Sequence, residues 1–147
     1  MTKLTLSQVE TLGLALGRAL RGGECIELIG DVGTGKTTLT KHIARGLEID
    51  EDVQSPSFTI SRTYPAHEGL ELHHYDFYRL DDAGIMKHEL AESIHQPNAI
   101  TVVEWGGSVS DVLPESRVSI RLNHDDETTR EFDISIPDTY SYLKEAI

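Results

Sequence analysis

The sequence predicts an α/β fold: a mixed β-sheet flanked by helices, in a single domain over residues 1–147. Three observations lead there. A short apolar run bounded by glycines, Glu24–Ile29, is followed by a glycine-rich stretch and then by an amphipathic helix. A second apolar run, Ala99–Trp105, is rich in β-branched residues and suits a central strand. Arg117–Leu122 and Arg130–Ile136 alternate apolar and polar residues around the acidic turn Asn123–Thr128, as an antiparallel hairpin does.

The elements follow in order. Ser7-Gln8-Val9-Glu10 reads as a capping box, and Val9, Leu12, Leu16 and Leu20 recur at helical spacing until Gly22-Gly23. Glu24–Ile29 is a buried strand, Gly30–Gly35 a loop, and Thr37–Leu47 a second helix with Leu39, Ile43, Ala44 and Leu47 on one side. Ile49–Ser57 is a polar loop containing Pro56. Phe58–Tyr64 and Leu70–Phe77 read as strands joined around Pro65–Gly69, and Asp81–Ile94 as a weaker helix. Gly106–Pro114 is a loop and Asp138–Ile147 a short terminal helix. No repeat, low-complexity segment or linker interrupts the pattern.

At 147 residues the chain suits one domain with a real core. Its 25 acidic and 13 basic residues give a net charge of −12, which repels polyanions and disfavours direct nucleic-acid binding. The lone Cys25 excludes an internal disulfide. No secretory segment opens the chain and no apolar stretch is long enough for a bilayer, so the expectation is a cytoplasmic protein that does not meet a membrane.

Gly30-Asp31-Val32-Gly33-Thr34-Gly35-Lys36-Thr37 matches the G-x-x-x-x-G-K-[ST] phosphate loop, which makes the expected fold P-loop NTPase-like. The glycines let backbone amides turn inward around phosphates, and the start of the following helix adds partial positive charge. Asp31 through Thr38 are therefore the expected nucleotide contacts: Asp31, Val32, Gly33, Thr34, Gly35, Lys36, Thr37 and Thr38. Lys36 reaches the β- and γ-phosphates of ATP, and the Thr37 hydroxyl ligates Mg²⁺.

Hydrolysis also needs a carboxylate at a neighbouring strand end. Asp76, closing Leu70–Phe77, and Glu104, closing Ala99–Trp105, both fall where open α/β sheets bind ligands. Which of the two positions water stays open. A carboxylate ending the apolar run Ile100–Val103 is costly unless a cation lies near, which sharpens Glu104. His73 and His74 point to opposite faces of a strand and do not share a metal. Ser55, Ser57 and Thr59, in Gln54–Thr59, supply hydroxyls where phosphate-loop enzymes often carry a γ-phosphate switch; an ordinary Ser/Pro turn explains them equally well.

These motifs occur in a fixed order: Gly-Asp-Val-Gly-Thr-Gly-Lys-Thr-Thr at 30–38, Ser-Pro-Ser-Phe-Thr at 55–59, His-Tyr-Asp-Phe-Tyr-Arg-Leu at 74–80 and Val-Glu-Trp at 103–105. Together they resemble the TsaE (YjeE) family over roughly residues 5 to 122, including Val112-Leu113-Pro114. The resemblance implies a bacterial ATPase needed for the threonylcarbamoyladenosine modification of tRNA. It implies two partner proteins, TsaB and TsaD, whose complex the ATPase binds and resets, and contact with tRNA only through them. It matches Lys36 to the phosphate-binding lysine, Thr37 and Glu104 to the Mg²⁺ ligands, and Asp76 to the acidic residue of the His-x-Asp-x-Tyr-Arg-Leu motif. Ser55–Thr59 matches the switch, and Trp105 the tryptophan beside the nucleotide. Ser57 departs from the family's usual Thr but keeps a hydroxyl, and Gly84–Gln96 follows the family pattern poorly.

Two other functions compete. A small-molecule or nucleotide kinase needs an arginine-bearing lid, whereas the arginines here are spread singly. A nucleotide-dependent binding module would hydrolyse little; Asp76 and Glu104 favour an enzyme. With no arginine finger evident, slow basal hydrolysis stimulated by the partners is expected. A GTPase is disfavoured, because neither Asn98 nor Asn123 is followed by Lys.

Overall fold

The structure is a computed structural model that describes residues 2–56, 60–78 and 84–147. Seven strands and four helices are described: β1 (Thr2–Thr5), α1 (Leu6–Ala19), β2 (Cys25–Ile29), α2 (Lys36–Gly46), β3 (Ser61–Pro65), β4 (Glu71–Asp76), α3 (Ile85–Ser93), β5 (Ala99–Glu104), β6 (Val118–His124), β7 (Thr129–Ser135) and α4 (Ser141–Ala146). The strands form one sheet in the order β1-β7-β6-β2-β5-β4-β3. β2 lies between β5 and β6 and is parallel to both; β4 is parallel to β5. The outer strands β3, β7 and β1 pair antiparallel, so the sheet is mixed as expected.

The parallel centre explains its apolar sequence. Both faces of β5 are covered, and all six of its residues are buried. Side-chain alternation then divides the core. Ile100 and Val102 join Leu16, Leu39 and Ile43 beneath α1 and α2. Val103 faces the other way, with Cys25, Tyr75 and Leu90.

α1 and α2 approach each other through glycines. A Cβ on Gly17 would come within 2.2 Å of the Ile43 carbonyl oxygen, and one on Gly46 within 2.5 Å of Leu14 O. Bare backbone at both positions brings the helices together and sets α2, with the loop before it, against the sheet.

Two expectations need correction, and a third falls partly outside the described residues. The cap of α1 is Thr5, not Ser7: Thr5 Oγ1 accepts from the Gln8 amide at 3.2 Å, and Gln8 Oε1 accepts from the Thr5 amide at 2.8 Å. The cap shifts because the preceding residues form β1, a strand absent from the sequence reading. β1 is short and mostly exposed, so it carries no hydrophobic alternation; its register with β7, Thr2 opposite Phe132, creates it. The strand expected at Phe58–Tyr64 is Ser61–Pro65 in the structure, while Phe58 and Thr59 lie outside the described residues. Pro65, at the end of an edge strand, has no outer ladder bond to lose. Of the expected helix Asp81–Ile94, Ile85–Ser93 is helical, and Asp81–Ala83 are outside the described residues.

Among the described residues, no helix is long and apolar enough to cross a membrane.

Candidate functional site

The loop between β2 and α2 leaves the central strand at its C-terminal end. Gly33 and Gly35 have φ of 82° and 101°, a region that penalises residues with a Cβ. Gly35 is the N-cap of α2 and contributes no side-chain cap, so the first amides of α2 have neither an intrahelical nor a side-chain acceptor. α1, closed by its Thr5 capping box, is the contrast. An uncapped helix start behind a glycine loop suits an anion.

A cavity of about 450 Å³ opens above this loop. It is lined by Val32, Gly33, Gly35, Lys36, Thr37 and Thr38 from the loop and α2, by Ser55, and by Asp76, Tyr78, Glu104 and Trp105 from the ends of β4 and β5. The parallel register sets Asp76 opposite Glu104. Residues separated by dozens of positions in sequence thus converge because two parallel strands end together. Asp31 and Thr34 complete the loop. The Thr34 hydroxyl donates to Asp31 O at 2.9 Å and its amide to the same oxygen at 3.3 Å, so Thr34 braces the turn.

Lys36 is 6% exposed. Its Nζ donates to Gly30 O at 2.6 Å and Asp31 O at 2.9 Å, and lies 4.7 Å from the centre of the Trp105 ring. Burial pushes its pKa below the ordinary lysine value, while Glu104 and then Asp76 hold it up. The charge therefore sits on backbone carbonyls, with two carboxylates nearby. Trp105 adopts φ 57° and ψ 49°, left-handed backbone that is uncommon for a large side chain. Its ring packs against Tyr78 at 4.9 Å.

Asp76 is tied to both flanks of the expected switch. The Ser55 hydroxyl donates to Asp76 Oδ2 at 3.1 Å, and the Asp76 amide donates to Ile60 O at 2.8 Å. Ile60 has φ 69°, strained for a β-branched residue. Ser57 and Thr59, expected in the switch, lie outside the described residues.

His73 and His74 do point to opposite faces. His73 Nδ1 meets Ser93 Oγ of α3 at 2.6 Å, and His74 Nε2 meets Glu104 Oε2 at 2.5 Å. The sequence reading missed three residues. Tyr78 lines the cavity beside Trp105. Arg130 of β7 lines it from across the sheet, with Nη1 donating to Asp126 O at 2.7 Å and Thr129 O at 2.9 Å. Its distance along the chain from the loop hid it. His74 was legible in part, since it shares the face of β4 with Asp76 two residues on.

A family model described as "Threonylcarbamoyl adenosine biosynthesis protein TsaE" matches residues 4–132. The chain is 35% identical over 142 residues to a protein of Nostoc sp. named "tRNA threonylcarbamoyladenosine biosynthesis protein TsaE", covering 92% of this chain and 86% of that one. It is 36% identical over 130 residues to the protein of the same name from Bacillus subtilis, covering 86% and 80%. The crystal structure of Bacillus subtilis YdiB superposes with a TM-score of 0.72 at 27% identity, covering 98% of this chain and 93% of that one. By that match over most of its length and by those relatives, the chain belongs to the TsaE family of threonylcarbamoyladenosine biosynthesis proteins.

Proposed function

We propose that this chain is a Mg²⁺-dependent ATPase of tRNA threonylcarbamoyladenosine modification, acting in the cytoplasm on a TsaB–TsaD complex that it binds and resets. The observation that carries the reading is the convergence of Lys36, Thr37, Asp76 and Glu104 on one cavity at an uncapped helix start. The family supplies the pathway: curated relatives carry threonylcarbamoyladenosine biosynthesis in their names.

The residues fit magnesium. Thr37, Asp76 and Glu104 offer only oxygen donors to the cavity, as a hard cation prefers. No group of three or more His, Cys, Asp or Glu that could hold a metal occurs among the described residues. Magnesium commonly takes one or two protein ligands and completes its shell with phosphates and water. When bound, Mg²⁺ would offset charge on the β- and γ-phosphates.

The protein's own groups do the rest. Amides of the loop and the first turn of α2 hold phosphate oxygens. Lys36 moves its ammonium from Gly30 O and Asp31 O to the phosphates. Thr37 and Glu104 would hold the cation or its waters. Either Asp76 or Glu104 accepts a hydrogen bond from the attacking water and orients it. Trp105 and Tyr78 wall the site against solvent. Contact with tRNA passes through the partners, as the net charge of −12 favours.

Phosphate release from ATP, measured with and without Mg²⁺ and with and without the TsaB–TsaD complex, tests the proposal. Slow Mg²⁺-dependent release that the complex accelerates is expected. Equal rates with and without the complex would remove the coupling, and no Mg²⁺-dependent release in either would remove the ATPase.

A further inference from the structure

We infer that His74 is the positioning residue of Glu104: its Nε2–H holds one carboxylate oxygen so that the other is presented to the cation and its waters. The inference rests on the Mg²⁺–nucleotide reading above and assigns a part within it to a residue outside the phosphate loop and the acidic pair.

Both side chains are withdrawn from water, His74 at 0% exposure and Glu104 at 2%. Neither tolerates that burial without a partner. Among the described residues, the only hydrogen bond to the Glu104 carboxylate is the one to His74, at 2.5 Å. Topology makes the contact. In the parallel register of β4 and β5, His74 stands opposite Val102 and Asp76 opposite Glu104, so the imidazole reaches two residues along the neighbouring strand, to the next side chain on the same face. The Glu104 main chain is fixed as well, its carbonyl accepting from the Phe77 amide at 3.1 Å. Backbone and one carboxylate oxygen are therefore both set before any ligand arrives.

The other ring nitrogen decides the tautomer. His74 Nδ1 is buried with no hydrogen-bond partner. A proton on Nδ1 would leave a buried N–H orphaned and would set a bare Nε2 lone pair against a carboxylate oxygen. A proton on Nε2 makes the bond and leaves only an unused acceptor, which protein interiors tolerate better. Nε2 is thus the nitrogen that donates to Glu104, and the imidazole orients that carboxylate. Hydrogen bonds to ligating carboxylates commonly have this role, and their loss typically weakens metal binding 10–100-fold.

The test is nucleotide binding by the full chain, followed by Trp105 fluorescence across a magnesium titration, with thermal unfolding recorded in parallel. Three variants are compared with the wild type: His74→Leu, which removes the donor; His74→Gln, whose amide N–H reaches the position of Nε2; and His74→Asn, which is too short. We expect magnesium-free nucleotide affinity within about twofold of wild type in all three. The half-saturating magnesium concentration should rise about 10–100-fold in the Leu and Asn variants and return most of the way in the Gln variant. Should the Leu variant not fold, the contrast between Gln and Asn decides. Wild-type magnesium dependence in the Asn variant would overturn the inference. So would a uniform loss of magnesium-free and magnesium-bound affinity that follows thermal stability and is not rescued by Gln, because that marks a structural pair. A wild type whose nucleotide binding ignores magnesium overturns the reading of the site itself, and the inference with it.

Discussion

Asp76 and Glu104 stand directly opposite each other at the ends of two parallel strands. They are not equivalent. Asp76 receives the Ser55 hydroxyl and the Tyr78 amide, whereas among the described residues Glu104 receives only the imidazole of His74. One carboxylate is tied to the segment after α2 and the other is anchored inside the sheet. This difference separates their expected roles in a way their positions in sequence do not.

Replacing Glu104 should therefore spare binding more than turnover. Glu104→Ala is expected to retain nucleotide while Mg²⁺-dependent phosphate release falls about 100-fold or more, the range for losing a group that positions a proton or a water. Steady-state phosphate release beside a binding titration checks this. Unchanged turnover would take Glu104 out of the chemistry.

Lys36→Ala should act on binding itself. Charge-assisted hydrogen bonds contribute about 1.5–3 kcal/mol, so nucleotide affinity should fall roughly 10–100-fold. Trp105, with its ring 4.7 Å from the Lys36 ammonium, provides the fluorescence signal. An intact affinity in this variant would argue that the loop does not hold phosphate.

Gly17→Ala tests the helix crossing. An exposed helical Gly→Ala change usually gains about 1 kcal/mol from propensity. Here the new methyl would lie 2.2 Å from Ile43 O, a backbone atom with little room to yield. Overpacking of this kind costs about 1–3 kcal/mol, so the sign should reverse and the thermal midpoint should drop by several degrees. A stabilised variant would show that α1 and α2 do not meet this closely.

Alkaline pH should unfold the protein. Burial pushes the Cys25 thiol from 9.0 up to about 12 and the Tyr75 phenol from 10.0 up to about 12. In the unfolded chain both release protons at lower pH than in the folded protein. Their contribution to stability is complete below pH 9 and is lost progressively as pH rises towards 12. Thermal midpoints at pH 8, 10 and 11 should fall in that order, less steeply in Cys25→Ala. Rapid native-state alkylation of Cys25 at pH 9 would contradict the buried thiol.

Much of this was legible in the chain. The phosphate loop is local: glycine spacing, Lys36 and Thr37 specify turn, helix start and chemistry within a few residues. The central strands were legible because burial on both faces demands unbroken apolar sequence. What failed was non-local. β1 lacks a pattern of its own and exists through its pairing with β7, and Thr5 became the cap only because β1 ends there. Arg130 carries no motif that points to the cavity it lines, and Tyr78, inside the motif at 74–80, was given no role there.

By itself, then, the sequence determined the elements whose information is short in range, together with the family they mark. Only the tertiary structure decided which side chains share a site. Parallel pairing brings β4 and β5 to a common end, placing Asp76 and Glu104 near Lys36 and His74 on Glu104, and no spacing along a chain encodes the register between two strands. Register is settled when both faces of the sheet are buried at once, because a slip of one residue would turn Val102 and Val103 to the wrong sides of the core.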